Sequence, residues 1–209
     1  MDRKGILLVV SGFSGAGKGT LMKELVGRYD NYALSISATT RSPREGEVDG
    51  REYFFCTKEE FEQMIADEAL IEHACYVGNY YGTPRAYVEE QLALGRDVIL
   101  EIEIQGALQI KKRFPDTLLL FVSTPDAETL KNRLIGRGTE SLDVVEKRLS
   151  RASEEAEGIE NYDYFIINDD LDTCVTQVHQ IIQGEHSRVS RNLELINTIK
   201  KDISKFQKG

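Results

Sequence analysis

A glycine-rich segment near the amino end, Gly12–Thr20, has the composition of a loop that binds phosphate groups. Its glycines allow successive backbone N–H groups to converge on one point, because no Cβ atom stands in the way. Lys18 adds a mobile cation that can reach the β- and γ-phosphates of a nucleotide. The spacing of Gly12, Gly17 and Lys18 fits the pattern G-x-x-x-x-G-K.

The residues around this loop predict the elements that such a loop needs. The apolar run Ile6–Val10 predicts a strand before it, and Leu21–Leu25 has helical periodicity after it. A helix that begins here directs its positive end at the same point. The alternative is a plain glycine-rich turn with a chance lysine, which the agreement of strand, loop and helix disfavours.

One position departs from the usual loop pattern. Gly19 stands where Ser or Thr is common, and the hydroxyl comes one residue later, at Thr20. We therefore expect that Mg²⁺ bound with a nucleotide has no direct hydroxyl ligand at this position.

Two carboxylates close a second apolar run, Val98–Ile104, which is predicted to be a buried strand. A period of two puts Glu101 and Glu103 on the same side of that strand. Ligands of open α/β sheets bind outside the carboxyl ends of the strands, so Glu101 is a candidate to hold Mg²⁺ through water. The alternative is that both acids face solvent at a strand end.

Two arginines, Arg41 and Arg44, flank Pro43 in a polar stretch. A planar guanidinium with several donors suits a phosphate group well, although two solvated surface arginines would give the same pattern. Further along, Glu72 lies in an otherwise apolar patch, where a charged side chain needs a partner.

A charged, helix-rich stretch from residue 124 to 158 has the composition of a mobile flap over a site. It carries Arg133, Arg137 and Arg148. On helices these would usually be solvated, but Arg137 lies between Gly136 and Gly138, which is unusual for a simple surface residue.

Composition limits the classes of function. The chain has 209 residues and a net charge of −9, which argues against a broad nucleic-acid surface. No apolar run approaches the roughly 20 residues that span a bilayer. Three cysteines far apart, Cys56, Cys75 and Cys174, are typical of reduced thiols, so a cytoplasmic protein is expected.

Apolar runs alternate with helical patterns along the chain, which predicts an α/β fold with a parallel sheet flanked by helices. The remaining strands are predicted at Leu118–Val122 and Tyr164–Ile167. Two stretches interrupt this core, which is assigned to residues 1–34, 84–123 and 159–209. They are an inserted subdomain at 35–83 and the helical lid at 124–158.

An apolar stripe marks the carboxyl-terminal tail, where residues recur at spacings of three and four. Its members are Val189, Leu193, Ile196, Ile199, Ile203 and Phe206. We expect this helix to pack against the core of its own domain. The alternative, a subunit interface in a homo-oligomer, remains open.

Taken together, these segments resemble the guanylate kinase family over nearly the whole chain. The motifs that carry the resemblance are Gly12–Thr20, Ser37–Glu47, Gly78–Gly82, Glu101–Gly106, Gly136–Thr139 and Asn168–Asp169. The resemblance implies a P-loop kinase that transfers a phosphoryl group from ATP to GMP, and to dGMP, with Mg²⁺. Its partners would be these small molecules, with no nucleic acid and no membrane.

The resemblance also implies roles for individual residues. Positions that match the GMP site are Ser37, Arg41, Arg44, Tyr53, Glu72, Tyr81 and Thr83, joined by Glu101 and Glu103 at the strand end. Positions that match the ATP site are Ser14, Gly15, Ala16, Gly17, Lys18, Gly19, Thr20, Arg133, Arg137 and Asn168. Lys18, Arg41, Arg137 and Arg148 are the expected catalytic residues.

Two positions depart from the family pattern, and other functions are weighed beside it. Phe13 stands where the family has Pro or a small residue, and Glu103 stands where Asp is commoner. Related domains of scaffold proteins bind phosphopeptides without catalysis, but the intact phosphate loop argues against that class. A GTPase is disfavoured because the Asn-Lys-x-Asp signature is absent. A kinase for AMP or another monophosphate is a closer rival.

Overall fold

A parallel sheet forms the centre of the fold in the computed structural model, which describes residues 4–76, 78–136, 149–150, 152–153 and 155–206. Its strands are β1 (Leu7–Gly12), β2 (Tyr32–Leu34), β7 (Asp97–Glu101), β8 (Leu118–Ser123) and β9 (Tyr164–Ile167). They lie in the order β2-β7-β1-β8-β9, and every neighbouring pair is parallel. The predicted α/β class is confirmed.

A second sheet is built from the polar stretch between β2 and β7. Its strands are β3 (Ala38–Thr39), β4 (Phe54–Phe55), β5 (Leu70–Tyr76) and β6 (Asn79–Pro84), in the order β4-β3-β6-β5. Helix α2 (Lys58–Ala66) packs beside it and begins at a capping box. Thr57 accepts a hydrogen bond from the Glu60 amide at 3.1 Å, and Glu60 accepts one from the Thr57 amide at 2.7 Å.

Six further α-helices that lie wholly within the described residues cover the parallel sheet or extend beyond it. They are α1 (Lys18–Arg28), α3 (Arg85–Ala93), α4 (Ile104–Arg113), α5 (Ala127–Ile135), α6 (Leu171–His186) and α7 (Leu193–Lys205). Alternation along β1 divides the core: Leu8 and Val10 face one hydrophobic cluster, and Val9 faces another. Among the residues described, no helix combines the length and apolar character needed to cross a membrane.

The strand predicted at Val98–Ile104 is shorter than expected. It ends at Glu101, and Glu103 is already the residue that precedes helix α4. The inference that Glu101 and Glu103 share one side of a continuous strand is therefore wrong. The chain turns at Ile102, whose carbonyl accepts a hydrogen bond from the Ser11 hydroxyl at 2.7 Å.

The tail also differs from its prediction. The chain bends after α6 through a 3₁₀ turn, Val189–Asn192, before α7 begins. No residue of α7 is buried, and Leu193 and Phe206 are 51% and 86% exposed. Packing of the apolar stripe against the domain's own core is therefore wrong, because the bend carries the stripe away from the core.

A buried carboxylate ties several elements together at the amino ends of the parallel strands. Asp97 is fully buried and accepts hydrogen bonds from the Ile6 amide at 2.8 Å and the Asn31 side chain at 3.1 Å. His186, at the end of α6, lies 2.8 Å from the same carboxylate. This side chain therefore links β7, the start of β1 and the last turn of α6.

We predict that Asp97→Ala lowers the free energy of unfolding by about 3–5 kcal/mol, because it leaves buried donors without their acceptor. Urea unfolding followed by circular dichroism measures the change. Asp202→Ala, which breaks an exposed ion pair with Lys205, is the control and should change stability little. Equal losses in the two variants would contradict this account.

Candidate active site

A cavity of about 660 Å³ opens between the carboxyl ends of the parallel strands and the second sheet. A volume of this size is ordinary for a site that binds a small molecule. Most residues predicted for the GMP site lie on its walls together with part of the phosphate loop. They are Ser14, Lys18, Ser37, Arg41, Arg44, Tyr53, Glu72, Tyr81, Glu101 and Glu103.

The phosphate loop joins β1 to α1, as its pattern predicts. Helix α1 begins at Lys18, and the Lys18 ammonium donates hydrogen bonds to the carbonyls of Gly12 at 2.8 Å and Phe13 at 3.2 Å. The same ammonium lines the cavity. Gly17 precedes the helix with φ of 90°, and a Cβ atom there would lie 2.6 Å from the Asn168 amide nitrogen. Only glycine fits this position.

A second cavity, of about 430 Å³, lies on the other side of the loop. Asn168 donates to the Ala16 carbonyl at 2.8 Å, and Arg133 on α5 reaches the carbonyls of Ala16 and Asp169 at 3.5 Å. The walls of this second cavity include five residues predicted for the ATP site: Gly15, Gly17, Thr20, Arg133 and Asn168. Arg137 and Arg148 lie outside the described residues.

Glu72 is a nearly buried carboxylate in the wall of the larger cavity, with 6% of its surface exposed. The Thr83 hydroxyl donates to it at 2.7 Å. Burial raises the pKa of Glu72, and the hydrogen bonds from Thr83 oppose that shift. No salt bridge among the described residues involves this carboxylate. It can therefore accept hydrogen bonds from the donors of a ligand.

Helix α4 leaves room for this carboxylate at Gly106. A Cβ atom at Gly106 would lie 3.0 Å from the second Glu72 oxygen, which is closer than ordinary contact. The glycine therefore allows the first turn of α4 to approach the carboxylate. Nothing local in the sequence indicates this contact, because Glu72 lies in β5 of the second sheet and Gly106 lies in α4, more than thirty residues later.

Cationic and phenolic groups gather at another part of the cavity wall. The Arg41 guanidinium stands 5.3 Å from the centre of the Tyr53 ring, and the Tyr53 and Tyr81 rings are 6.0 Å apart. Arg44 lines the same wall and is exposed to solvent. This group of donors can receive an anion. Glu47, which the sequence did not single out, lies here too and pairs with Arg41 at 2.9 Å.

Glu101 ends β7 beside the phosphate loop. Its side chain is accessible through the cavity mouth, yet the walls displace enough water to raise its pKa, while nearby Lys18 lowers it. A Cβ atom on Gly19 would be 3.9 Å from its carboxylate. The negative charge of Glu101 is only partly balanced by Lys18. Carboxylate oxygens beside a phosphate loop are ligands of the kind that Mg²⁺ prefers.

Phe13, the unusual residue of the loop, lines neither cavity. Its ring packs edge-to-face on Phe121 with centroids 5.0 Å apart, and it contacts the cluster of Leu130 and Leu134. The large side chain thus anchors the loop to the core and to α5, and adds no group to the cavity walls.

Known proteins with related sequences share one description. A model of the guanylate kinase family matches residues 4–185. The chain is 53% identical to a guanylate kinase of Bacillus cereus over 91% of this chain and 93% of the relative. It is also 53% identical to a guanylate kinase of Clostridioides difficile, over 93% and 95% of the two chains.

A solved structure agrees with these relatives. The crystal structure of guanylate kinase from Anaplasma phagocytophilum superposes with a TM-score of 0.73 at 30% identity, covering 90% of this chain and 89% of that one. With the fold, the phosphate loop and the two cavities in place, this chain belongs to the guanylate kinase family.

Proposed function

We propose that the chain catalyses the reversible reaction ATP + GMP ⇌ ADP + GDP. The observation that carries the proposal is the larger cavity, whose walls bring together the nearly buried Glu72, the Arg41 group and Lys18 of the phosphate loop. Such a cavity can hold a base at one end and a phosphate at the other. Family membership supports the same activity.

Glu72 supplies the proposed base recognition. The N1–H and 2-amino groups of guanine are both donors, and an ionised carboxylate is an acceptor only. Adenine has an acceptor at N1, which would leave Glu72 buried and repelled. A site built on such hydrogen bonds can reject the wrong base by roughly 10⁴. Thr83 orients the carboxylate, and Ser37 is the third proposed contact to the base.

The part of the wall around Arg41 would hold the acceptor phosphate. Arg41, Arg44, Tyr53 and Tyr81 provide the donors. None of the proposed contacts to base or phosphate uses the 2′-hydroxyl of the sugar, so dGMP is expected to be accepted as well. Because a phosphate monoester is already ionised at neutral pH, the reaction requires no general base.

The phosphate loop and the lid would act on ATP. Loop amides and Lys18 hold its β- and γ-phosphates, with Arg133 and Asn168 on the neighbouring cavity. Arg137 and Arg148 are proposed to stabilise charge on the transferred group. Mg²⁺, which neutralises phosphate charge when bound, would be held by Glu101 through water.

The proposed division into a core, a GMP-binding subdomain at 35–83 and a lid at 124–158 serves this chemistry. Closure of the two inserted parts would exclude water, which otherwise would hydrolyse ATP. The three cysteines are unpaired in the structure, which supports a proposed location in the reducing cytoplasm.

A second copy of the chain is the proposed partner of the stripe on α7. Val189, Leu193, Ile199 and Ile203 leave about half or more of their surface exposed. Charges along α7 favour an antiparallel pair, because Glu194 lies near its start, whereas three lysines (Lys200, Lys201 and Lys205) outnumber Asp202 near its end. Two-fold pairing would place these opposite charges together.

The proposed reaction is tested by ADP formation from ATP and Mg²⁺ with GMP, AMP, CMP and UMP in parallel. We expect turnover with GMP alone. Glu72→Gln keeps an oxygen for Thr83 but cannot accept two hydrogen bonds from guanine, so kcat/KM for GMP should fall about 10²-fold.

The matched control for this prediction is Glu185→Gln, another buried carboxylate, which pairs with Arg188 and Arg191 away from the cavity. It should reduce stability without changing base preference. Folded wild-type protein that turns over no monophosphate would move the chain to a non-catalytic binding class. Retained GMP preference in Glu72→Gln would refute the assigned role of Glu72.

For the α7 pairing, we predict a concentration-dependent dimer that Ile199→Glu converts to a monomer, as measured by gel filtration with light scattering. Thr198→Glu adds the same charge to the other face of the helix and should leave the dimer intact. A wild-type monomer at every concentration, or equal effects of both substitutions, would contradict the pairing.

A further inference from the structure

We propose that Glu47 is a positioning residue, which holds Arg41 and the turn at Arg44 in the geometry that receives the acceptor phosphate. The proposal rests on the function proposed above and adds a residue outside the assigned contacts. Glu47 lines the same cavity as the two arginines. As a carboxylate it cannot itself bind phosphate, so its effect must pass through its neighbours.

The first neighbour is the Arg41 guanidinium. Its Nη2 atom lies 2.9 Å from both oxygens of Glu47, and its Nη1 atom donates to the Ser42 carbonyl at 2.7 Å. Both side chains are mostly buried, with 15% of Arg41 and 17% of Glu47 exposed. An ion pair sheltered in this way is screened less by solvent than a surface pair.

The second neighbour is the backbone of Arg44. Its amide donates to one Glu47 oxygen at 2.7 Å, and its carbonyl accepts from the Glu47 amide at 3.1 Å. Both backbone groups of Arg44 are thus engaged by one residue. The carboxylate therefore fixes the place from which the Arg44 side chain extends as well as the orientation of Arg41.

The guanidinium retains donors for a ligand. An arginine has five N–H groups, and those directed at Glu47 and Ser42 are only part of them. Its flat face lies over the rings of Tyr53, at 5.3 Å, and Phe55, at 5.8 Å. A side chain held by a carboxylate, a carbonyl and two rings loses little freedom when phosphate arrives, which favours binding.

The charge of the group still favours an anion. The hydrogen bond from the Arg44 amide and the pairing with Arg41 lower the pKa of Glu47, so it is ionised at neutral pH. Two arginines and one carboxylate leave an excess of positive charge at this wall. Orientation is therefore gained without cancelling the attraction for a phosphate dianion.

The test is Glu47→Gln, with steady-state kinetics for GMP and binding of guanosine, which has the base but no phosphate. Both Glu47 oxygens accept from N–H donors, and an amide nitrogen cannot replace either. We expect KM for GMP to rise about tenfold or more, kcat to change less, and guanosine affinity to stay within about twofold. In a protein that already carries Arg41→Ala, Glu47→Gln should raise KM for GMP much less than it does in the wild type.

Glu52→Gln is the matched control, because Glu52 lines the same cavity but pairs with the exposed Arg51. It should leave KM for GMP nearly unchanged. An unchanged KM in Glu47→Gln, or tighter GMP binding, would overturn the positioning role while wild-type turnover of GMP keeps the proposed function. A wild-type protein that does not use GMP would instead refute the proposed function itself. Equal weakening of guanosine and GMP would indicate a general structural role and also overturn the proposal.

Discussion

The site depends on one costly feature, a nearly buried carboxylate that forms no ion pair with any of the described residues. Glu72 accepts a hydrogen bond from the Thr83 hydroxyl and lies close to Gly106. Burial raises its pKa. A buried charge of this kind destabilises the fold unless donors reach it. In our account guanine supplies those donors, and a base without them leaves the buried charge uncompensated, which is the source of selectivity.

Two sheets of different construction bring this carboxylate to the phosphate loop. The parallel sheet ends its strands at one edge, where Lys18 and Glu101 meet. The antiparallel pair β5 and β6 carries Glu72 and Tyr81 to the same cavity. Buried links such as Asp97 hold the opposite end of the parallel sheet, away from the chemistry.

Local patterns predicted the parts whose geometry is set by neighbours in sequence. The phosphate loop and the strand Tyr164–Ile167 are of this kind. Contacts between distant segments were not predictable. Periodicity predicted a strand over Val98–Ile104, whereas the strand ends at Glu101. The apolar stripe of the tail did not indicate which surface would cover it. The need for glycine at position 106 comes from the close approach of Glu72, which lies in the second sheet.

The most direct test of the central claim is the pH dependence of guanosine affinity, because guanosine has no phosphate that titrates nearby. Only ionised Glu72 can accept both donors of the base, and burial raises its pKa. Affinity should therefore increase with pH, by up to about tenfold per pH unit, below the raised pKa of Glu72, and level off above it. Glu72→Gln should bind weakly at every pH. A flat wild-type profile across this range, or the same slope in Glu72→Gln, would contradict the account.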